Sequence, residues 1–344
     1  MHAQQVLCDW GLGHAPLTPI AMGHINETYA VDAGAQRYIL QRLNPIFKPE
    51  VHHDIDAITQ QLAARGMRTP RLIPTQAQTL WTTDVDEGVW RLQTFMPGQV
   101  FVQASGAPMC QAAGLHLGRF HRALADLQHS FVAPRLGVHD TAQHVLGLQE
   151  ALLAHRGHVA YGQVAPLADA LLNAAALLPS MHQLPARIVH GDPKISNFVF
   201  AADGSASCLI DLDTLGAMAV PLELGDALRS WCNPNGEGAG RSTFEITWFE
   251  ASLRGYASGA QKLLTAQEVA LLPAALACIS VELAVRFLRD ALEERYFGWD
   301  KGRFAAAWEH NLVRAKSQWA LATDYQAQQS RAVDIVHEVF GVPV

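Results

Sequence analysis

The stretch IVHGDPKISNFVF, residues 188–200, runs from a β-branched pair into a turn holding His190, Asp192, Lys194 and Asn197 within eight residues, then leaves on a second apolar run. A reversal follows at AADGSA (201–206), where Asp203-Gly204 is a good hairpin signal. The returning segment CLIDLDTLG (208–216) delivers Asp211 and Asp213 at its end. Two short antiparallel strands would bring Asn197 beside Asp211, although 14 positions separate them. An amide oxygen and a carboxylate make a hard, oxygen-only site, which suits Mg²⁺ with waters and substrate phosphates completing its shell. Asp192, at the start of the loop, is placed to accept a proton from an attacking hydroxyl. A base, a metal pair and a phosphate-gripping loop on an opposite lobe would make a phosphoryl-transfer site. Paired aspartates after a strand also serve as caps and turn formers. The order D-x-x-x-x-N, hairpin, apolar run and acid is far rarer by accident.

The 344 residues, 49% hydrophobic and 17% charged, suffice for one large domain or two lobes around a cleft, with a substantial core. A net charge of −7 without any basic stretch argues against nucleic acid as the main partner, though it says little about ATP. Cys8, Cys110, Cys208, Cys232 and Cys278 lie far apart with no C-x-x-C pair, which speaks against a disulfide framework or zinc site and for a reducing compartment. The N-terminus lacks a charged segment followed by an apolar core, and no stretch approaches the roughly 18 uninterrupted apolar residues of a membrane span. The expectation is a cytoplasmic protein with a small-molecule partner and no membrane, monomeric or dimeric.

Residues 1–97 read as a small β-rich lobe and 98–344 as a larger helical one, with Pro97-Gly98 at the boundary. The first lobe shows a five-stranded pattern carrying one helix, in which Ile55, Ile58 and Leu62 fall at helical spacing before a Gly66 stop. In the second, MCQAAGLHLGRFHRALADL (109–127) is amphipathic, residues 142–184 supply two helices, and a long helix spans about 266–294. The 187–215 motif region is an island of short strands among these helices.

HGDPKISN and Ile-Asp-Leu resemble the protein-kinase catalytic loop H-R-D-x-x-x-x-N and its metal-binding D-F-G. The H-G-D form is similar to the aminoglycoside phosphotransferase and choline kinase family of small-molecule kinases. That resemblance implies an α+β, protein-kinase-like two-lobed fold and an ATP- and Mg²⁺-dependent reaction. It makes Asp192 the base and Asn197 and Asp211 the Mg²⁺ ligands. Lys194 either neutralises the transferring γ-phosphate or solvates the loop, and Asp213 is either an outer acid or a cap. His190 is expected to bond backbone, and Asp226 in LELGDALRS to pin the catalytic loop.

In the small lobe, AMGHINETYAV (21–31) falls where kinase folds cover the phosphates; Gly23 is its only glycine, and it otherwise reads as a polar hairpin turn. On the third strand, YILQRLN sets Gln41 where this family usually has Lys or Arg, with Arg42 next; alternation sends the two to opposite faces, and only one can meet the nucleotide. Asp56, in preference to Asp54, is the expected helix acid for that cation. WRLQTFMPGQ (90–99) matches the inter-lobe hinge, with backbone from Gln93 to Phe95 expected at the purine edge.

GHINETY, YILQRLN, HGDPKISN, LIDLDTLG and RFLRDALEERYF together look like one branch of the family, the N-acetylhexosamine 1-kinases, over about residue 15 to the end. This implies transfer to the anomeric hydroxyl of an N-acetylated sugar. Candidate sugar contacts are His24, Asn26, Arg286 and Tyr296, with Trp299 a weaker one, while Arg286 also sits at i,i+4 spacing from Glu282 and Asp290. A kinase of choline, homoserine or an aminoglycoside is the alternative acceptor reading. The missing third-strand cation also allows a nucleotide-binding pseudokinase. His52-His53 and the His116/His121 pair read as a solvated face and core contacts rather than metal ligands.

Overall fold

The computed structural model describes residues 2–20, 26–134, 137–236 and 242–341. In chain order the elements are α1 (His2–Val6), β1 (Leu17–Pro19), β2 (Glu27–Ala33), β3 (Gln36–Arg42), α2 (Val51–Ala64), β4 (Leu72–Ile73), β5 (Thr82–Thr83), β6 (Val89–Thr94), α3 (Ala107–Leu124), α4 (Thr141–Ala154), α5 (Tyr161–Ala175) and β7 (Ala186–Val189). They continue with β8 (Phe198–Phe200), β9 (Ala206–Leu209), β10 (Gly216–Ala219), α6 (Val220–Trp231), α7 (Ile246–Ala260), α8 (Ala266–Glu293), α9 (Ala307–Ala327) and α10 (Gln329–Phe340).

The first six strands form one antiparallel sheet in the order β1-β2-β3-β6-β4, with β5 also on β6. Six strands stand where five were expected, and β4 and β5 are only two residues long. Alternation along β3 and β6 gives the sheet two different faces. Val31, Leu40, Trp90 and Leu92 bury one face against Val6, Leu7 and Trp10 of the N-terminal segment. Gln41, Arg91 and Gln93 share the other face and bond one another. Arg42 falls on the opposite side from Gln41 and reaches Glu27 and Asp84 instead. α2 lays Val51, Ile55, Ile58 and Leu62 into the main core, an apolar stripe at helical spacing.

The helical part is organised on α8, which lies against α4, α5, α6 and α9. Thr265 and Glu268 form a reciprocal capping box at its start, and Glu294 ends it in a left-handed conformation. α8 is long and apolar enough to cross a membrane, but 72% of its apolar window is buried inside the fold, as in a core helix. The β7–β10 and β8–β9 pairs form the expected strand island, with Gly216 opposite Val189 and Phe198 opposite Leu209.

Besides the core that α2 shares with the helical part, a short backbone exchange joins the two parts. Gln99 and Phe200 donate to each other's carbonyls at 2.8 Å, which fastens the chain just past Pro97 to the catalytic hairpin. Gly98 permits this approach: at φ +147°, a Cβ there would fall 2.5 Å from Val199 Cγ1 and 2.6 Å from the Phe200 carbonyl oxygen.

Candidate active site

β7 ends in a loop whose shape depends on Gly191. Its φ is +83°, and a Cβ would lie 2.1 Å from the Thr214 carbonyl oxygen. Neither the conformation nor the space suits a larger residue. Gly191→Ala is therefore expected to cost about 3 kcal/mol of stability in a denaturant titration, from strain and overpacking together, and to depress turnover in the folded fraction.

Around that glycine the loop is bonded from several sides. A His190 ring nitrogen meets the Ile210 carbonyl at 2.9 Å, and Thr214 Oγ1 donates to the His190 carbonyl at 2.9 Å. Trp231 Nε1 donates to the Pro193 carbonyl at 2.7 Å. The Gly191 N–H donates to Glu223 Oε1 at 2.7 Å, and Glu223 in turn holds His121, whose other ring nitrogen meets the Tyr256 hydroxyl at 2.9 Å. The carboxylate on the Gly191 N–H is thus Glu223; Asp226, one helical turn on, bonds Arg229. Glu223 stands in the same LELGD segment, but no local pattern distinguishes the two acids.

The structure brings Asp192, Lys194, Asn197 and Asp211 together. Lys194 Nζ donates to Asp192 Oδ2 at 2.6 Å. The Asn197 amide nitrogen donates to the Asp192 carbonyl at 2.8 Å and to Oδ2 at 3.2 Å. With its nitrogen so used, the amide oxygen is the atom Asn197 can offer a cation. The Ile210 N–H donates to the Asn197 carbonyl at 2.9 Å, placing Asp211 immediately beyond the strand partner of Asn197. Asp211 adopts φ +64°, ψ +57°, a left-handed conformation that Asp tolerates better than most side chains.

Electrostatics mark this cluster as a place for a cation. Burial, and then the Asp213 and Asp192 carboxylates, push Asp211 up to about 6 against the opposing pull of Lys194 and Arg91. Burial alone would also raise Asp213, but the Arg91 charge and its bonds, with Asn26, hold it below its usual range. The Asp192 and Asp211 carboxylates with the Asn197 amide oxygen offer an oxygen-only donor set, while Asp213, bonded to Arg91 and Asn26, adds its charge from outside it. That set fits a hard divalent ion such as Mg²⁺.

The small-lobe expectations are partly corrected. Gly23 and His24 lie outside the described residues. Asn26 Nδ2 donates to Asp213 Oδ2 at 2.6 Å, and its oxygen accepts the Asn44 N–H at 2.8 Å, so its bonds are to the 211–213 turn and the small lobe itself. Gln41, not Arg42, faces the site. The cation there is Arg91 of β6, 1% exposed, which sequence reasoning missed: it donates to Gln41 Oε1 at 3.0 and 2.7 Å and pairs with Asp213. Asp56 meets Arg71 rather than a strand cation, and Asp54 accepts His129 and two backbone N–H groups. α2 instead buries His52 near Arg91; burial, then the Arg91 charge, lowers it to about 4. Gln93 is half-buried, its backbone between β3 and β4, and the Phe95 N–H donates to the Arg37 carbonyl at 3.4 Å.

A cavity of about 870 Å³ opens beside the 211–213 turn, lined by Asp213 and by Lys48, Arg286, Tyr296 and Phe297 among others. Asp290 takes the backbone N–H groups of Arg295, Tyr296 and Phe297, folding that loop over the end of α8. Arg286 lies 4.0 Å from Glu282, outside hydrogen-bond reach, with its guanidinium over the Tyr296 and Phe297 rings at 5.8 and 5.7 Å. Arg286 and Tyr296 are thus brought to one cavity, whereas Trp299 is not among its lining residues.

A small sheet over a larger helical part, with acids, amide and lysine converging between them, is the architecture of protein-kinase-like small-molecule phosphotransferases. The chain belongs to the phosphotransferase enzyme family (APH), whose family model matches residues 16–263. Among solved structures it is similar to a microcompartment-associated aminopropanol kinase (TM-score 0.61, 17% identity, 95% of this chain and 97% of that one). It is also similar to an amicoumacin kinase in complex with AMP-PNP and Ca²⁺ (0.59, 16%, 95% and 89%). A third is a choline/ethanolamine kinase family protein from Mesorhizobium loti (0.57, 16%, 98% and 98%). At these identities the likeness is one of fold.

Proposed function

We propose that this chain is an ATP- and Mg²⁺-dependent kinase that transfers the γ-phosphate to the anomeric hydroxyl of an N-acetylhexosamine, with residues 1–97 gripping the nucleotide and 98–344 carrying the catalytic loop and acceptor site. The observation that carries the kinase reading is the convergence of Asp192, Asn197 and Asp211, with Asp211 driven up to about 6 by burial and by its two neighbouring acids. Bound between Asn197 and Asp211, Mg²⁺ would neutralise and orient the triphosphate. Asp192, fixed by Lys194 and Asn197, would take the hydroxyl proton, and Lys194 would add charge near the transferred group. An anomeric hydroxyl is more acidic than an ordinary alcohol, so a single carboxylate base suffices for it.

The sugar reading rests on the branch resemblance and on the charge of the cavity. Asp213 there is neutralised by Arg91, and Glu293 is shared between Arg289 and Arg295, while Lys48 and Arg286 add positive charge. Such a lining disfavours a polycationic drug. The Arg286 guanidinium also lies over the aromatic faces that a choline cage would need. The test is ATP consumption over N-acetylhexosamines, simple hexoses, choline, homoserine and an aminoglycoside. An N-acetylhexosamine should give the fastest turnover, and its methyl glycoside, blocked at the anomeric oxygen, should be inert. Faster turnover of choline or the aminoglycoside would reject the sugar. Nucleotide binding with no phosphorylated product on any acceptor would favour a pseudokinase.

A further inference from the structure

We infer that Arg91, seated on β6 by Gln41, is a positioning residue that holds the 211–213 turn where it presents Asp211. This rests on the kinase reading above. Gln41 and Arg91 are directly opposed in the β3–β6 register, so their side chains leave the same face of the sheet. Thr28 accepts from the Gln41 amide nitrogen at 3.1 Å, and Gln93 donates to its oxygen at 3.0 Å. The oxygen is thereby turned to receive Arg91, and a neutral side chain becomes a seat for a neighbouring charge. The guanidinium extends from that seat across the gap between the lobes to both oxygens of Asp213.

The rest of the surroundings leave Arg91 with one ionic partner among the described residues. His52, the α2 side chain close enough to feel Arg91 and Asp213, is buried, and its Nε2 has no hydrogen-bond partner. It brings no negative charge. Asn26, at the edge of β2, adds a second small-lobe contact to the same carboxylate. Asp213 is therefore gripped by the sheet through two side chains, while its own short turn begins at Asp211, which is held in a left-handed conformation and feels the Asp192 charge. Groups that orient metal ligands from outside the first shell commonly carry a 10–100-fold effect on metal affinity or activity.

The test is calorimetric binding of AMP-PNP, with and without Mg²⁺, to the wild-type protein, Arg91→Gln, Arg91→Lys and the charge-relocated double variant Gln41→Lys/Arg91→Gln. Arg91→Gln should weaken Mg·AMP-PNP by about 10–100-fold while leaving metal-free AMP-PNP unchanged. Arg91→Lys should fall between it and the wild type. The double variant, with its cation returned to β3 opposite the same position, should recover most of the loss. Wild-type affinity for Mg·AMP-PNP in folded Arg91→Gln, or in Arg91→Lys if the glutamine variant does not fold, overturns the role. An equal loss with and without Mg²⁺ also overturns it, because it would mean direct phosphate contact. A wild-type protein that binds no Mg·AMP-PNP at all rejects the kinase reading itself.

Discussion

Asp192→Asn is expected to lower kcat by about 10³-fold, within the range that a positioned general base supplies. The replacement is nearly isosteric. Its side-chain oxygen can still accept from Lys194, and the Asn197 bond to the residue 192 carbonyl at 2.8 Å is untouched. The loop should therefore keep its shape, and Mg·nucleotide affinity should change little, while the group that receives the hydroxyl proton is gone. Single-turnover transfer to the best acceptor of the panel, alongside nucleotide binding, separates the two effects. Residual turnover near the wild-type rate would remove Asp192 from the base role.

Asp211→Asn should act in two opposite directions. Losing a charged metal ligand removes several kcal/mol of transition-state charge stabilisation, so kcat/KM should fall by about 10³-fold or more. The metal-free protein should instead gain stability. Asp211 is raised from 3.8 to about 6 in the folded chain by burial and by Asp213 and Asp192. Between those values the native state holds more protons than the unfolded one, so metal-free stability declines as pH rises through the window and stays reduced above it. An uncharged Asn escapes that penalty, on the order of 1–3 kcal/mol above pH 6, and it also tolerates the left-handed backbone. Thermal unfolding with chelator at pH 4.5 and 7.5 reads this directly. The variant should match the wild type more closely at the lower pH and exceed it at the higher. Equal stability at both values would show that the three acids do not crowd one another.

What the chain reveals before folding is mostly what short-range chemistry dictates. Asp203-Gly204 closes a hairpin whose strands place Asn197 by Asp211, and that geometry follows from a turn signal and a count of residues. The apolar stripe of α2 and the extent of α8 follow from periodicity and capping. The cation of the small lobe does not, because Arg91 gains its role only once β6 is known to lie beside β3 with Gln41 opposite. In sequence it is one polar residue in a strand read as a hinge. Choosing between Glu223 and Asp226 depended likewise on the rotation of α6 about its axis, and Asp56 on that of α2, which several acids at neighbouring positions leave undetermined. The large cavity joins residues near 48 to residues near 290, and no local pattern links segments so distant.

The exchange of bonds between Gln99 and Phe200 makes the start of the second lobe move as one piece with the hairpin that bears Asn197. Moving the sheet away from the helices would then strain the few residues between Phe95 and Gly98, break the bonds of Asp213 to Arg91 and Asn26, and open the core that α2 shares with α3. Closure of the resting molecule thus combines a desolvated charge pair with an apolar core that both parts share.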